Sequence, residues 1–293
     1  VRLLCLGMPI ANRMDAVRVA EEYAMIDVIS RGRLEMGFVK GAPFEVSPAN
    51  SNPATLMERF WEAHDLILKA LTTHDGPFNW EGEHFQYRQV NVWPRPYQDP
   101  HPPVWMTVAS PGSAAEAGAR GHVIASLNTG YLRTPDIFKT YRKAAADAGH
   151  TADRDRFVYL AIVGVGETDE EGQRRADQIL DYSRTTPRAA SQFWFPPGYT
   201  ANEVTAQKLH NRSPLMIPLR DGGEFEMQFG TVDQFVNAGV AFAGNPDTVF
   251  EQIKEFHEHV GGLGHLLMMG QGGHISHEDT VGNLTLFSKE VLP

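Results

Sequence analysis

The chain has 293 residues, 42% of them hydrophobic and 21% charged, with a net charge of −10 and a single cysteine. The acidic balance, without any basic block, excludes a nucleic-acid surface, because phosphate neutralisation supplies most of such binding. One cysteine excludes an internal disulfide framework and suits a reducing, cytoplasmic setting. No apolar run reaches the roughly 18 residues of a membrane span.

The first segment, LLCLGMPI (3–10), reads as a core strand. A helix follows over Asp15–Ile29, with Val19, Tyr23 and Ile26 on one face and Ala20 and Ala24 beside them. RLEMGFV (33–39) is the second strand. Its alternation puts Glu35, Gly37 and Val39 on one face and Leu34, Met36 and Phe38 on the other, toward the helices. This strand stops at Lys40-Gly41. A cation flanked by glycines is either ordinary strand-end punctuation or a charge delivered to an anion.

Asn52-Pro53 caps the next helix, which buries Leu56, Phe60, Ala63, Ile67 and Leu71. Trp80–Trp93, with its Glu81-Gly82 turn signal, predicts a hairpin or irregular excursion. Strands are then expected at 103–110, 122–127 and 157–165. Residues 185–245 are too long for a plain connection and concentrate Phe193-Trp194-Phe195. This insertion is either a lid over an apolar substrate or an excursion packed on the outside. Asn245-Pro246 opens a helix through Val249, Ile253, Phe256 and Val260, Gly261-Gly262 ends it, and 264–270 is the last strand.

Six apolar strands alternating with helices predict an α/β fold with a parallel sheet, and the count favours a barrel over an open sheet. Residue 1 falls at the start of a strand, so upstream elements are expected to be absent, and two lost strand–helix units would complete an eightfold barrel. The expectation is a (β/α)8 TIM-barrel-type fold, incomplete with about six of eight strands, in a single N-terminally truncated domain over 1–293. Exposed strand edges of such a barrel would favour a homo-oligomer.

RVAEEYAMIDVISRGRLEMGFVKG (Arg18–Gly41) resembles the signature of the bacterial luciferase-like flavin-dependent monooxygenases. NVWPRPYQDPHPPVWMTVASPGSAAEAGARG, GNPDTVFEQI, GHLLMMG and the terminal LFSKEVLP extend the resemblance, in order, along essentially the whole chain. It implies an oxidoreductase that takes reduced FMN from a separate NAD(P)H-dependent flavin reductase and uses O2 to oxygenate a small apolar molecule. Relatives that use a deazaflavin for hydride transfer, and a non-catalytic flavin binder, are the alternatives.

Carried over residue by residue, the resemblance puts Lys40, where the family has arginine, on the flavin phosphate beside Gly41. Lysine brings charge without the bidentate fork. Arg59 falls where some relatives place a second phosphate arginine. Val39 would lie against one side of the ring and Gly7-Met8 against the other, Gly7 permitting a bulge or marking only a packing kink. Ala109, Ser110 and Ser113 open a helix whose start binds the phosphate, or the serines merely cap it. Ser126 would face the flavin edge. Phe44, Phe193, Trp194 and Phe195 are apolar walls and lid, or plain packing. The family's assisting histidine would lie upstream, so no catalytic acid or base is assigned. HISHE (His274–Glu278) lacks a clear third ligand, and no metal is expected.

Overall fold

In a computed structural model, residues 1–185, 190–211 and 215–292 are described. Elements run β1 (Leu3–Pro9), α1 (Ala16–Ser30), β2 (Leu34–Val39), α2 (Leu56–Thr72), β3 (Phe78–Glu81), β4 (Gln86–Val90) and β5 (Val104–Val108). Next come α3 (Pro111–Ala119), β6 (Val123–Leu127), α4 (Gly130–Asp147), β7 (Phe157–Val165), α5 (Asp169–Thr185), α6 (Ser191–Trp194) and α7 (Asn202–Asn211). The chain closes with β8 (Met216–Pro218), β9 (Glu224–Glu226), α8 (Val232–Asn237), β10 (Ala241–Gly244), α9 (Pro246–His259), β11 (His265–Met269) and α10 (His277–Leu286). None of the described helices is long and apolar enough to cross a membrane.

Two compact units form: Val1–Thr107 with Ala190–Ser213, and Val108–Ala189 with Pro214–Pro293. In the first, β1, β2 and β5 pair in parallel. Leu34, Met36 and Phe38 are buried as the alternation requires, Phe38 meeting Tyr23 of α1 and His64 of α2 edge-on. Ile26 departs from expectation and is 37% exposed. The α1 stripe instead continues through Asp27, whose carboxylate is satisfied by the backbone and side-chain amides of Gln98, both at 2.8 Å. Paired this way, a carboxylate can occupy an apolar position.

The predicted hairpin is β3–β4, antiparallel. It is fastened to α2 by Glu62, which accepts from Trp80 Nε1, His84 N and Phe85 N. Burial works to raise the Glu62 carboxyl, but these three hydrogen bonds hold it below its ordinary value.

In the second unit β7 is buried at every residue but Leu160 and is the strand on which the others assemble. β6 and β11 both pair with residues 158–160, so they lie on opposite edges, and β10 pairs along 162–165. Beyond β11 the Asn283 amide donates to Val163 and Gly270 carbonyls and accepts from Val165 N, standing in for ladder bonds.

All six expected strands are found, and a seventh parallel strand, β10, lies inside the stretch read as an insertion. AFAG, at four residues of mostly small side chains, carries too little pattern to betray it. The rest of that stretch is divided: Ala190–Ser213 belongs to the first unit and Pro214 onward to the second. Residues 186–189 and 212–214 of the expected insertion lie outside the described residues.

Candidate functional site

In the first unit, the carboxyl ends of β1 and β2 bring several expected residues together. The β1–β2 register shifts between Cys5 and Met8, placing the anticipated bulge at Gly7. Beyond it Met8 pairs with Phe38 and Pro9 with Val39. Gly7 is packed so tightly that a Cβ there would lie 2.2 Å from Val39 Cγ1. Two small surfaces, a glycine backbone and a valine methyl, thus close on each other at the strand ends.

Lys40 is half-buried rather than a solvated strand end. Its Nζ donates to the Tyr199 carbonyl at 3.2 Å and sits 3.7 Å from the Tyr199 ring centroid. The Tyr199 hydroxyl returns the link, donating to the Gly41 carbonyl at 2.7 Å. Burial lowers the Lys40 pKa. It also pushes Tyr199 up to about 12, with Glu45 adding a smaller push.

Beside Gly41 lies Asn12, at the end of a short 3₁₀ turn over Ile10–Asn12. Gly41 has φ +97°, and a Cβ there would come 2.7 Å from Asn12 Nδ2. Both Asn12 amide atoms, Oδ1 and Nδ2, are buried without a hydrogen-bond partner among the described residues. Arg59 holds the backbone on either side: Nε donates to Ala11 O at 2.9 Å and Nη2 to Arg13 O at 2.8 Å. A third donor reaches His84 O at 3.5 Å, and the guanidinium stacks 4.2 Å from the Phe85 ring centroid. Three Arg59 donor contacts thus go to carbonyls of its own unit.

Two expected aromatic walls meet: Phe44 and Trp194 pack edge-to-face with centroids 5.1 Å apart. The Trp194 indole Nε1 is buried and has no hydrogen-bond partner among the described residues. Phe193 is 42% exposed, and Phe195 lies under Lys208, 5.2 Å from its Nζ. Sequence reasoning missed Asn12 and the Tyr199 clamp. The first carries no pattern of its own, and the second joins residues far apart in the chain.

The remaining expected residues fall in the second unit. Ser110 caps α3, its Oγ accepting from Ser113 N at 3.3 Å, while Ser113 Oγ donates to Ser110 O at 2.9 Å. Ala109 precedes this cap and is exposed. Ser126 is fully buried, with its hydroxyl turned to Val158 O at 3.4 Å. The same unit holds a cavity of about 330 Å³ lined by Tyr131, Arg220, Gln252 and Glu255 among others, where Arg220 pairs with Glu255 at 2.7 Å.

The model of the luciferase-like monooxygenase family matches residues 1–261. Limonene 1,2-monooxygenase of Rhodococcus erythropolis is 25% identical over 288 residues, which is 94% of this chain and 64% of that protein. The first curated relatives matched are longer still relative to it: the chain spans about half their length. Among solved structures, the FMN complex of the oxygenating constituent of 3,6-diketocamphane monooxygenase from Pseudomonas putida superposes with a TM-score of 0.74 at 22% identity, over 100% of this chain and 79% of that one. An F420-dependent secondary alcohol dehydrogenase bound to an F420-acetone adduct gives 0.70 at 17% identity, over 99% of this chain and 78% of that one. The two likenesses concern the fold alone. With nine-tenths of its length matched by one model, the chain belongs to the luciferase-like monooxygenase family.

Proposed function

We propose that this chain is the oxygenating part of a flavin-dependent monooxygenase that takes reduced FMN and O2 to a small apolar substrate. One observation carries the reading: Asn12 keeps both amide atoms buried and unpaired, directly beside Gly41 and next along the chain from the Lys40 cation. A buried amide without partners costs about 1–3 kcal/mol, so such a group is maintained where a bound molecule satisfies it. The residues present fit a flavin: an amide able to donate and accept, an ammonium for an anion, and apolar surface at Val39, Phe44 and Trp194.

The flavin, when bound, supplies two electrons to O2, so that one oxygen atom enters the substrate and the other leaves as water. The chain's own residues bind and orient. Lys40, released from Tyr199, offers its charge to the phosphate. Asn12 offers its amide to a polar edge, held in place by Arg59 on the neighbouring carbonyls. Phe44 and Trp194 exclude water from the reacting atoms, which protects oxygen chemistry from wasteful discharge. Electrons are to come from a separate NAD(P)H-dependent flavin reductase, as the description of the diketocamphane protein as an oxygenating constituent suggests.

Anaerobic titration with reduced FMN and with reduced deazaflavin tests the cofactor. Admission of O2 with limonene or a bicyclic ketone, followed by product analysis, tests the reaction. Tight binding of reduced FMN, weakened in Asn12→Ala, and an oxygenated product are expected. Binding of deazaflavin alone would overturn the reading in favour of hydride transfer.

A further inference from the structure

We propose that Glu58, Glu83 and His84 form a binding site for a divalent cation of the Zn2+ class, joining α2 to the β3–β4 turn. One ligand atom from each of the three lies within 4.8 Å of the others, the only such group among the described residues. His84 Nε2 is 3.7 Å from Glu58 Oε2. Ligand atoms around a tetrahedral ion at about 2.0–2.2 Å stand a little over 3 Å apart, so a small contraction closes the set. The two glutamates are exposed and free to make it.

The independent sign is at the histidine. Its Nε2 is buried and has no hydrogen-bond partner among the described residues, while its side chain is only 13% exposed. The His84 backbone is held from both sides, which fixes where the ring starts from. Its N–H donates to Glu62 at 2.9 Å, and its carbonyl accepts from Arg59 at 3.5 Å. That nitrogen, 3.7 Å from the Glu58 carboxylate and without a hydrogen bond among the described residues, is thus presented beside the two exposed glutamates.

The donor set chooses the ion. One imidazole with two carboxylates suits Zn2+ and its neighbours, whereas Mg2+ and Ca2+ prefer all-oxygen surroundings. The Arg59 cation nearby opposes binding, but the charges of Glu58 and Glu83 outweigh it. Three protein ligands leave a fourth position for water. Bound there, it would tie the hairpin to the helix whose Arg59 holds the Asn12 turn.

The test uses the whole chain, stripped with a chelator and titrated with Zn2+, Mg2+ and Co2+. With 12 histidines in the chain, stoichiometry alone does not locate an ion, so variants must. The proposal expects one Zn2+ bound in preference to Mg2+, a Co2+ visible band of a four-coordinate site, and a rise in melting temperature with Zn2+. Glu58→Gln with Glu83→Gln, both on exposed side chains, should weaken that site by at least about 10-fold and abolish the Co2+ band. His84→Asn should do the same where circular dichroism shows it folded. Absence of Zn2+ binding, or equal binding by the wild type and the double glutamine variant, overturns the site. Neither result bears on flavin binding, so the two readings fail separately.

Discussion

The Arg59 guanidinium grips the carbonyls of Ala11 and Arg13, at 2.9 and 2.8 Å, on either side of Asn12. A planar fork can serve two acceptors that one ammonium cannot reach together. Arg59→Lys should therefore lower stability, and Arg59→Ala should cost about 2–3 kcal/mol through loss of charged hydrogen bonds. Reduced-FMN affinity should fall in both variants at temperatures where each is still folded, because Asn12 loses its support. Denaturant unfolding with flavin titration checks this. Unchanged flavin affinity in a folded Arg59→Ala protein would remove Arg59 from any positioning role.

How much of this was legible in the sequence differs by element. Strands such as Phe157–Val165 announce themselves through unbroken apolar runs, and the Asn52 and Asn245 caps through local chemistry. Asp27 in the α1 stripe was not legible, because its partner Gln98 is supplied from far along the chain. The same holds for the site. Lys40 and Gly7 stand at strand ends where pattern points to them. The Tyr199 clamp on Lys40, and the hold of Arg59 on the Asn12 turn, depend on tertiary pairing that no local periodicity encodes. Family resemblance suggests phosphate for Arg59, while its hold on the Ala11, Arg13 and His84 carbonyls is carried by tertiary pairing.

Lys40 offers a second prediction. If its ammonium serves the phosphate, Lys40→Met should weaken reduced FMN by about 10-fold or more, the worth of one charged hydrogen bond at about 1.5–3 kcal/mol. Reduced riboflavin, lacking the phosphate, should bind both proteins alike. Lys40→Arg should keep most FMN affinity. Equal losses for FMN and riboflavin in Lys40→Met would mean that the residue acts through the Tyr199 packing instead.

The closeness of Gly7 and Val39 gives a third. A Cβ at position 7 would collide with Val39 Cγ1 at 2.2 Å, so Gly7→Ala must displace the valine or the strand end. Overpacking of this kind costs about 1–3 kcal/mol. Val39→Ala removes the obstructing methyl, and adding it to Gly7→Ala should restore part of the loss. A double-mutant cycle by urea unfolding reads the coupling. Strictly additive effects would show that the two residues do not oppose each other.

In the second unit Asp279 carries a pH prediction. Arg174 donates to its carboxylate at 2.7 and 2.9 Å, and Arg175 donates through Nε at 3.1 Å. The Arg174 hydrogen bonds, foremost, and those from Arg175 and Ser276 hold the Asp279 pKa far below its ordinary 3.8, against a burial contribution that would raise it. A carboxylate depressed in the folded state contributes stability that is present above its unfolded pKa. That contribution is lost as pH falls below it, since the unfolded chain then binds the proton first. Asp279→Asn, which cannot hold both guanidinium groups by charge, should be less stable at pH 7. The deficit should narrow as the pH is lowered below about 4, where protonation of the unfolded wild type erodes the contribution of the same interaction. Urea midpoints for both proteins from pH 7 to pH 3 measure the difference. A gap that stays constant over that range would show that the arginines stabilise α5 and α10 through packing rather than through the charge on Asp279.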